Sequence, residues 1–314
     1  MNSLYFLENF GFLPFRRKGN RSVKPHLTLR FNSDVIVDFH VDSYKGVPNV
    51  PNDDYRFYNL ITHAHSDHYG QNNLSNENAL ASLETAKILS AIAGKRFSGR
   101  TFRLGDKFEL DGLKIKTYNT KHIFGSTAFL IESDYKILIT GDVKDFSSLP
   151  KCDVLITEAT YGSPDFVFED EIEKLIDNAE NSTFGVYPVG KAQRTAKILT
   201  ENGYDVNASQ RISRLCKLFG IDVSEDADVN LVSPRRLSEC QGKRYILTAQ
   251  RFYRWPRIVI SDHLDFLGIL DMIDHCNPEH VIFYHGKPTE ALLSLLDRDY
   301  SLLRDLDVMS EAKG

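Results

Sequence analysis

Short apolar stretches separated by turn residues fill the first half of the chain, and the pattern changes character after Gly162. Residues 35–39, 114–119, 128–132 and 136–140 are brief runs rich in β-branched and aromatic residues, which predicts strands. Asp111 with Gly112, and Ser133 with Asp134, lie between such runs as hairpin turns. Residues 77–93 place Leu80, Leu83, Ala86, Ile88 and Leu89 at helical spacing, with Gly94 as the stop. Past Gly162 the chain reads as an acidic helix at 169–181, a strand at 184–189, and helices at 191–202 and 212–219. Gly203 and Gly220 end the last two. Strand–helix alternation of this kind predicts a small α/β unit. A strand at 257–260, a helix at 264–275 and a strand at 281–284 follow. The implied layout is one domain built from 1–175 and 259–314, interrupted by an inserted α/β domain at 176–258.

The densest chemistry lies in Thr62-His63-Ala64-His65-Ser66-Asp67-His68, directly after the apolar-ended run Tyr58-Asn59-Leu60-Ile61. In extended backbone His63 and His65 point the same way, because side chains alternate with period two. A turn after them would put Asp67 and His68 on neighbouring ground. Three imidazoles and a carboxylate so close suit two adjacent metal ions better than one, and both group types are ordinary Zn²⁺ ligands.

The order of later residues strengthens this reading. Asp38 follows the strand-like 35–37, His122 follows Tyr118-Asn119-Thr120-Lys121, Asp142 ends Ile137-Leu138-Ile139-Thr140-Gly141, and His285 ends Val281-Ile282-Phe283-Tyr284. In this order they resemble the ligand series of the metallo-β-lactamase superfamily. A second set of motifs narrows the resemblance to the β-CASP nucleases. Glu158-Ala159-Thr160-Tyr161 is similar to the acidic first motif of that family, and Ser261-Asp262-His263 to its histidine-centred second. Tyr284-His285-Gly286 is similar to the third, and Gly190-Lys191-Ala192-Gln193 to the turn that opens the inserted domain. The nearest wording is that of archaeal mRNA 3′-end processing factors and bacterial ligase-associated exonucleases.

The resemblance implies an α/β fold, a metallo-β-lactamase αββα sandwich with a short inserted β-CASP α/β domain. It implies that His63, His65 and His122 hold one Zn²⁺, that Asp67, His68 and His285 hold a second, and that Asp142 bridges them, with Mn²⁺ as a substitute metal. Asp38 would support a ligand imidazole from behind. His263 would protonate the leaving oxygen, Glu158 would orient it, and Asp67 would count as catalytic as well as metal-binding. The implied activity is phosphodiester hydrolysis in RNA or DNA, single-stranded in preference to paired. His285 tilts the expectation to RNA processing, since a His there accompanies RNA substrates and the DNA-repair branch carries Val. A ligase-associated DNA exonuclease is the alternative, and a small-molecule metallo-hydrolase a further one. The resemblance leaves room for a homodimer.

Composition sets limits on these readings. A net charge of −5 means that any nucleic-acid surface must be a local basic patch. Gln250-Arg251-Phe252-Tyr253-Arg254-Trp255-Pro256-Arg257 interleaves Arg with aromatic rings, a composition that can grip phosphates and stack bases. Arg251, Arg254 and Arg257, with Lys191 and Arg194, are therefore the candidate substrate contacts. Apolar runs are too short to span a bilayer, and the first residues lack the basic start and long apolar core of a signal peptide, so a cytoplasmic protein is expected. Cys152, Cys216, Cys240 and Cys276 are scattered without a CxxC pair and read as reduced thiols.

Overall fold

The computed structural model describes residues 7–18, 22–32, 35–42, 55–225 and 227–310. The chain divides into two compact units, one formed by Met1–Asp165 with Leu264–Gly314 and the other by Phe166–His263.

The first unit holds two seven-stranded sheets. In the first, the neighbours run Val308–Ser310, Phe12–Lys18, Val23–Asn32, Ile36–Val41, Tyr55–Leu60, Ala79–Ser82, Arg100–Phe102. In the second they run Asp299–Leu302, His280–Gly286, Val154–Ala159, Lys136–Ile139, Thr127–Glu132, Leu113–Asn119, Lys107–Leu110. Leu29, Val37, Phe39 and Leu60 of the first sheet share one core with Ile115, Phe129, Ile139 and Ile156 of the second. Burying each such side chain contributes roughly 1.5–3 kcal/mol. Alternate residues of the same strands face the other way. Leu130, Leu138, Leu155 and Phe283 pack there against Phe266, Ile269, Met272 and Ile273 of helix Phe266–Cys276. Asp265 caps that helix by accepting from the Gly268 amide at 2.8 Å.

Two expectations change here. The helix expected at 77–93 is a strand, Ala79–Ser82, followed by helix Leu83–Ala93. All four strand residues are buried, so the strand shows no polar alternation and reads from sequence like a helix face. Ser82 marks the switch by accepting from the Thr85 amide as N-cap, and Gly94 at φ 67 closes the helix. The hairpin Phe12–Lys18 with Val23–Asn32 also precedes the strand read at 35–39, in a stretch for which no element was expected.

The second unit is a five-stranded, wholly parallel sheet ordered Val206–Ala208, Val229–Val232, Ser182–Gly185, Lys243–Leu247, Arg257–Ile258. Helix Lys191–Glu201 buries Ala192, Ala196 and Leu199, and helix Gln210–Leu218 buries Ile212 and Leu215. The unit begins earlier and ends later than the expected 176–258. Its two ends are fastened to each other: the Glu171 amide donates to the Val259 carbonyl at 2.7 Å, and the Ser261 amide to Asp170 at 2.8 Å. Among the described residues, no helix is long and apolar enough to cross a membrane.

Candidate metal centre

Parallel strands of both sheets end at one place. Ile36–Val41, Tyr55–Leu60 and Ala79–Ser82 run parallel in the first sheet, and Lys136–Ile139, Val154–Ala159 and His280–Gly286 in the second. Polar residues just beyond, or at the last positions of, these strands are Asp42, His63, Asp142, Glu158 and His285. Carboxyl ends of parallel strands are the usual seat of ligands in α/β folds. Gly141 permits the approach: its φ is 63°, and a Cβ there would lie 2.6 Å from Thr62. Gly286 does the same at φ 78°, where a Cβ would meet the Ala159 backbone at 2.4 Å.

His63, His65, His122 and Asp142 form one group of potential ligands, and Asp67, His68 and His285 another, each with its ligand atoms within 4.8 Å of one another. His65 Nδ1 lies 3.1 Å from His63 Nε2 and 3.1 Å from His122 Nε2. Asp142 Oδ2 is 3.5 Å from both of those Nε2 atoms. Ligands about 2.0–2.1 Å from a tetrahedral zinc stand about 3.4 Å apart, so this group fits such a cation. Asp142 Oδ2 is also 3.7 Å from His68 Nε2, so it faces both groups. In the second group, Asp67 Oδ2 lies 3.9 Å from His68 Nε2 and 3.8 Å from His285 Nε2.

The strongest test of fit is His68. It is 1% exposed, and its Nε2 is buried with no hydrogen-bond partner among the described residues. Its Nδ1 sits 2.9 Å from Asp42 Oδ2. A carboxylate at Nδ1 fixes the proton there and leaves Nε2 as the lone-pair donor a metal needs. Burial lowers the His68 pKa, but Asp142, Asp42 and Asp67 outweigh it and raise it to about 10. A field that binds a proton so firmly would bind a cation in its place.

Asp42, not Asp38, meets the His68 imidazole. Asp42 accepts from the Thr62 amide at 2.9 Å, from the Thr62 hydroxyl, and from the Tyr284 phenol at 2.8 Å. Burial and Asp42 hold the Tyr284 pKa well above its ordinary value, so it remains a donor. Asp38 instead receives both arms of Arg30 at 2.8 Å and the Tyr55 hydroxyl at 2.9 Å. The reason is position. Asp38 lies mid-strand, whereas Asp42 follows the strand and stands where the His63 turn begins. Tyr284 gave no sequence signal beyond its place beside His285.

No established family profile matches the chain. It is 24% identical over 288 residues to a protein named probable DNA ligase from Opitutus terrae, covering 76% of this chain and 28% of that one. It is 33% identical over 109 residues to an RNase J-like protein from Methanocaldococcus jannaschii, 28% of this chain and 26% of that one. It is 32% identical over 112 residues to an uncharacterized protein in the lig 3′ region of Acidianus ambivalens, 32% of this chain and 80% of that one. The chain belongs to the β-CASP family of metallo-β-lactamase-fold nucleases. It spans only about a quarter of the first two relatives' length, 28% and 26%. Among solved structures, a protein of unknown function from Enterococcus faecalis shares the fold at a TM-score of 0.62 and 14% identity, over 93% of this chain and 97% of that one.

The remaining residues of the family motifs fall as follows. Glu158 is 3% exposed, accepts from the Val143 amide at 2.9 Å and receives the Thr160 hydroxyl. Val143 is the residue after Asp142, so the carboxylate is tied to the loop that carries Asp142. His263 ends the second unit, its amide donating to the Ser261 hydroxyl at 3.1 Å. The next residue, Leu264, belongs to the first unit and donates its amide to the Val143 carbonyl at 2.8 Å.

The candidate substrate contacts divide. Arg194 is committed internally: it reaches Asp170 at 2.6 Å, Asp262 at 3.4 Å and the Ser261 carbonyl at 2.8 Å. Arg257 donates to the carbonyls of Ala249 and Gln250 at 3.3 and 3.0 Å. Both are therefore held by hydrogen bonds within the second unit. Lys191 lies over the Tyr187 ring at 5.7 Å, Arg251 over Phe166 at 5.9 Å, and Arg254 over Trp255 at 5.2 Å.

Proposed function

We propose that this chain is a two-metal phosphodiesterase of the metallo-β-lactamase sandwich type, cutting polynucleotide backbones, with Zn²⁺ in both positions and RNA ahead of DNA as substrate. The observation that carries the reading is Asp142: one carboxylate oxygen faces His63 and His122 on one side and His68 on the other. His63, His65 and His122 would hold one ion, Asp67, His68 and His285 the second, and Asp142 both. Two bound cations supply charge neutralisation at the phosphate and a lowered pKa for an attacking water.

The chain's own groups do the rest. Asp42, through Thr62 and His68, keeps the ligand imidazoles in one tautomer and orientation. We assign His263 the proton that the leaving oxygen needs, and Glu158 the carboxylate that favours the protonated imidazole. The Asp67 carboxylate, exposed to solvent, is pushed up by desolvation but pulled below the usual carboxylate range by His68 and His285, so it stays anionic toward a cation. Lys191, Arg251 and Arg254 would contact phosphates. A cytoplasmic location is part of the same reading.

DNA exonuclease activity of the ligase-associated kind is the second reading. The Opitutus relative favours it, since its match extends over 76% of this chain. A lactone or thioester substrate gains no support from the second unit, whose cationic and aromatic surface such small molecules would not use.

The test is to incubate the metal-replete protein with end-labelled single-stranded RNA and DNA side by side, with and without chelator. We expect two metal ions per chain, shortening of RNA, and loss of cleavage on chelation that added Zn²⁺ restores. Cleavage of DNA alone would select the second reading. Two bound ions with neither strand cut would overturn both.

A further inference from the structure

The loop between strands Lys243–Leu247 and Arg257–Ile258 is braced from within, yet it holds one ring out in water. Phe252 is 95% exposed. Around it, the Gln250 amide donates to the Thr248 hydroxyl at 3.1 Å, the Tyr253 hydroxyl donates to Gln250 at 3.1 Å, and the Arg257 guanidinium holds the Ala249 and Gln250 carbonyls. Tyr187 of the same unit is also exposed, at 47%. A single exposed apolar side chain needs no explanation. The company of this one does.

Cations beside it lie on ring faces. Arg244 and Arg254 lie over the Trp255 ring at 4.3 and 5.2 Å, and among the described residues neither pairs with a carboxylate. Arg251 lies over Phe166, and Lys191 over Tyr187. Positive charge held on ring faces, with a rigidly presented spare ring in the same loop, matches a chain of alternating anionic and flat aromatic groups. Phosphates and bases of an unpaired strand alternate in that way. In a duplex the bases are already stacked on one another, so the ring has no free face to cover.

We propose that this surface of the second unit binds an unpaired polynucleotide, with one base stacked on Phe252 and the flanking phosphates on Arg251 and Arg254, irrespective of the sugar. Stacking uses the base and ion pairing uses the phosphate, and neither touches the 2′-hydroxyl. Any choice between RNA and DNA is therefore made elsewhere in the chain. The proposal rests on the nuclease reading above, but it is measured by binding alone.

The experiment titrates the full-length, metal-replete chain into fluorescent single-stranded RNA and DNA, each with a hydrolysis-resistant phosphorothioate backbone, and follows anisotropy. F252A should weaken both strands by about tenfold, within the range that losing one stacked base produces. F252W should retain binding, and an abasic strand should bind weakly and lose nothing further on F252A. Wild-type affinity in F252A would overturn the proposal. So would an equal loss for a duplex, or a loss confined to one sugar. Phe252-dependent binding to anionic phospholipid vesicles that matches binding to the strands would assign the surface to a membrane instead and overturn it too. Hydrolysis of bis(4-nitrophenyl) phosphate is followed in parallel. If that activity is absent while F252A still weakens strand binding, the nuclease reading fails and the surface stands.

Discussion

The centre of the first unit and the loop surface of the second handle charge in opposite ways. In the first, imidazoles and a carboxylate converge: the side chains of His63, His122 and Asp142 are 0–3% exposed and aim at common points. In the second, cations spread over ring faces and the apolar tip stands in water. Convergent buried polar groups are costly unless something between them offsets the cost. That arrangement suits a small, dense cation and makes its members interdependent. Separated, half-solvated charges suit a long flexible anion, each contact adding a modest factor. The centre should therefore fail as a whole, and the surface by degrees.

The largest effect should come from the residue at the middle of the convergence. Asp142→Ala removes the oxygen that faces three imidazoles, whereas His285 is 34% exposed and faces Asp67. We expect Asp142→Ala to empty both positions and to lower hydrolysis on the order of 10⁴-fold or more, as when a group acting as a unit loses a member. His285→Ala should empty one position with a smaller loss. Metal content of the two purified variants checks this, and equal depletion would contradict the bridging role.

A proton donor outside the convergence should behave differently. His263→Ala should keep both metals and lose ~10²–10⁴-fold in rate on a polynucleotide, the usual scale for general acid catalysis. With a 4-nitrophenolate leaving group, which departs without a proton, the loss should nearly vanish. A metal-depleted His263→Ala would make this residue a ligand and extend the cooperative centre to it.

The contrast also explains what could be read from sequence. His63, His65, Asp67 and His68 were legible as a dense local cluster, and His122, Asp142 and His285 by their order along the chain, as the family resemblance implies. Glu158 was legible for the same reason. The supporting carboxylate was not, since Asp38 lies within strand Ile36–Val41 and Asp42 just past it, and only the pairing of that strand with Tyr55–Leu60 decides which stands beside the His63 turn. Arg194 and Arg257 looked like ligand contacts because the residues that occupy them, Asp170, Asp262 and the Ala249 and Gln250 carbonyls, come from other segments or from the loop's own backbone. Strand Ala79–Ser82 was hidden by burial on both faces. Asp42→Asn and Asp38→Ala separate the two carboxylates. The first should weaken metal binding about 10–100-fold, the scale for groups that orient ligands. The second should leave metal affinity intact and lower folding stability on the order of 3 kcal/mol, by stranding Arg30. Equal metal affinities for both variants would mean that Asp42 orients nothing.

The smallest effects belong to the surface, and they separate two arginines that look alike in sequence. Arg254 lies on Trp255 and has no carboxylate partner among the described residues. Arg194 is held between Asp170 and Asp262, whose side chains are 11% and 5% exposed. Removing Arg194 leaves two mostly buried carboxylates without their cation, so Arg194→Ala should unfold at lower denaturant while the remaining folded protein binds a strand as before. Removing Arg254 takes away one phosphate contact and little else. Arg254→Ala should keep its stability, bind single strands only a few-fold more weakly, and reduce the slope of log affinity against log salt by about 0.7, the value of one released counterion on a single strand. Because the salt slope counts contacts and not their strength, it detects this change even where affinity at one ionic strength hardly moves. An unchanged slope in Arg254→Ala would place the phosphate path away from Trp255, and a reduced slope in Arg194→Ala would show that the internal ion pairs open when a strand binds.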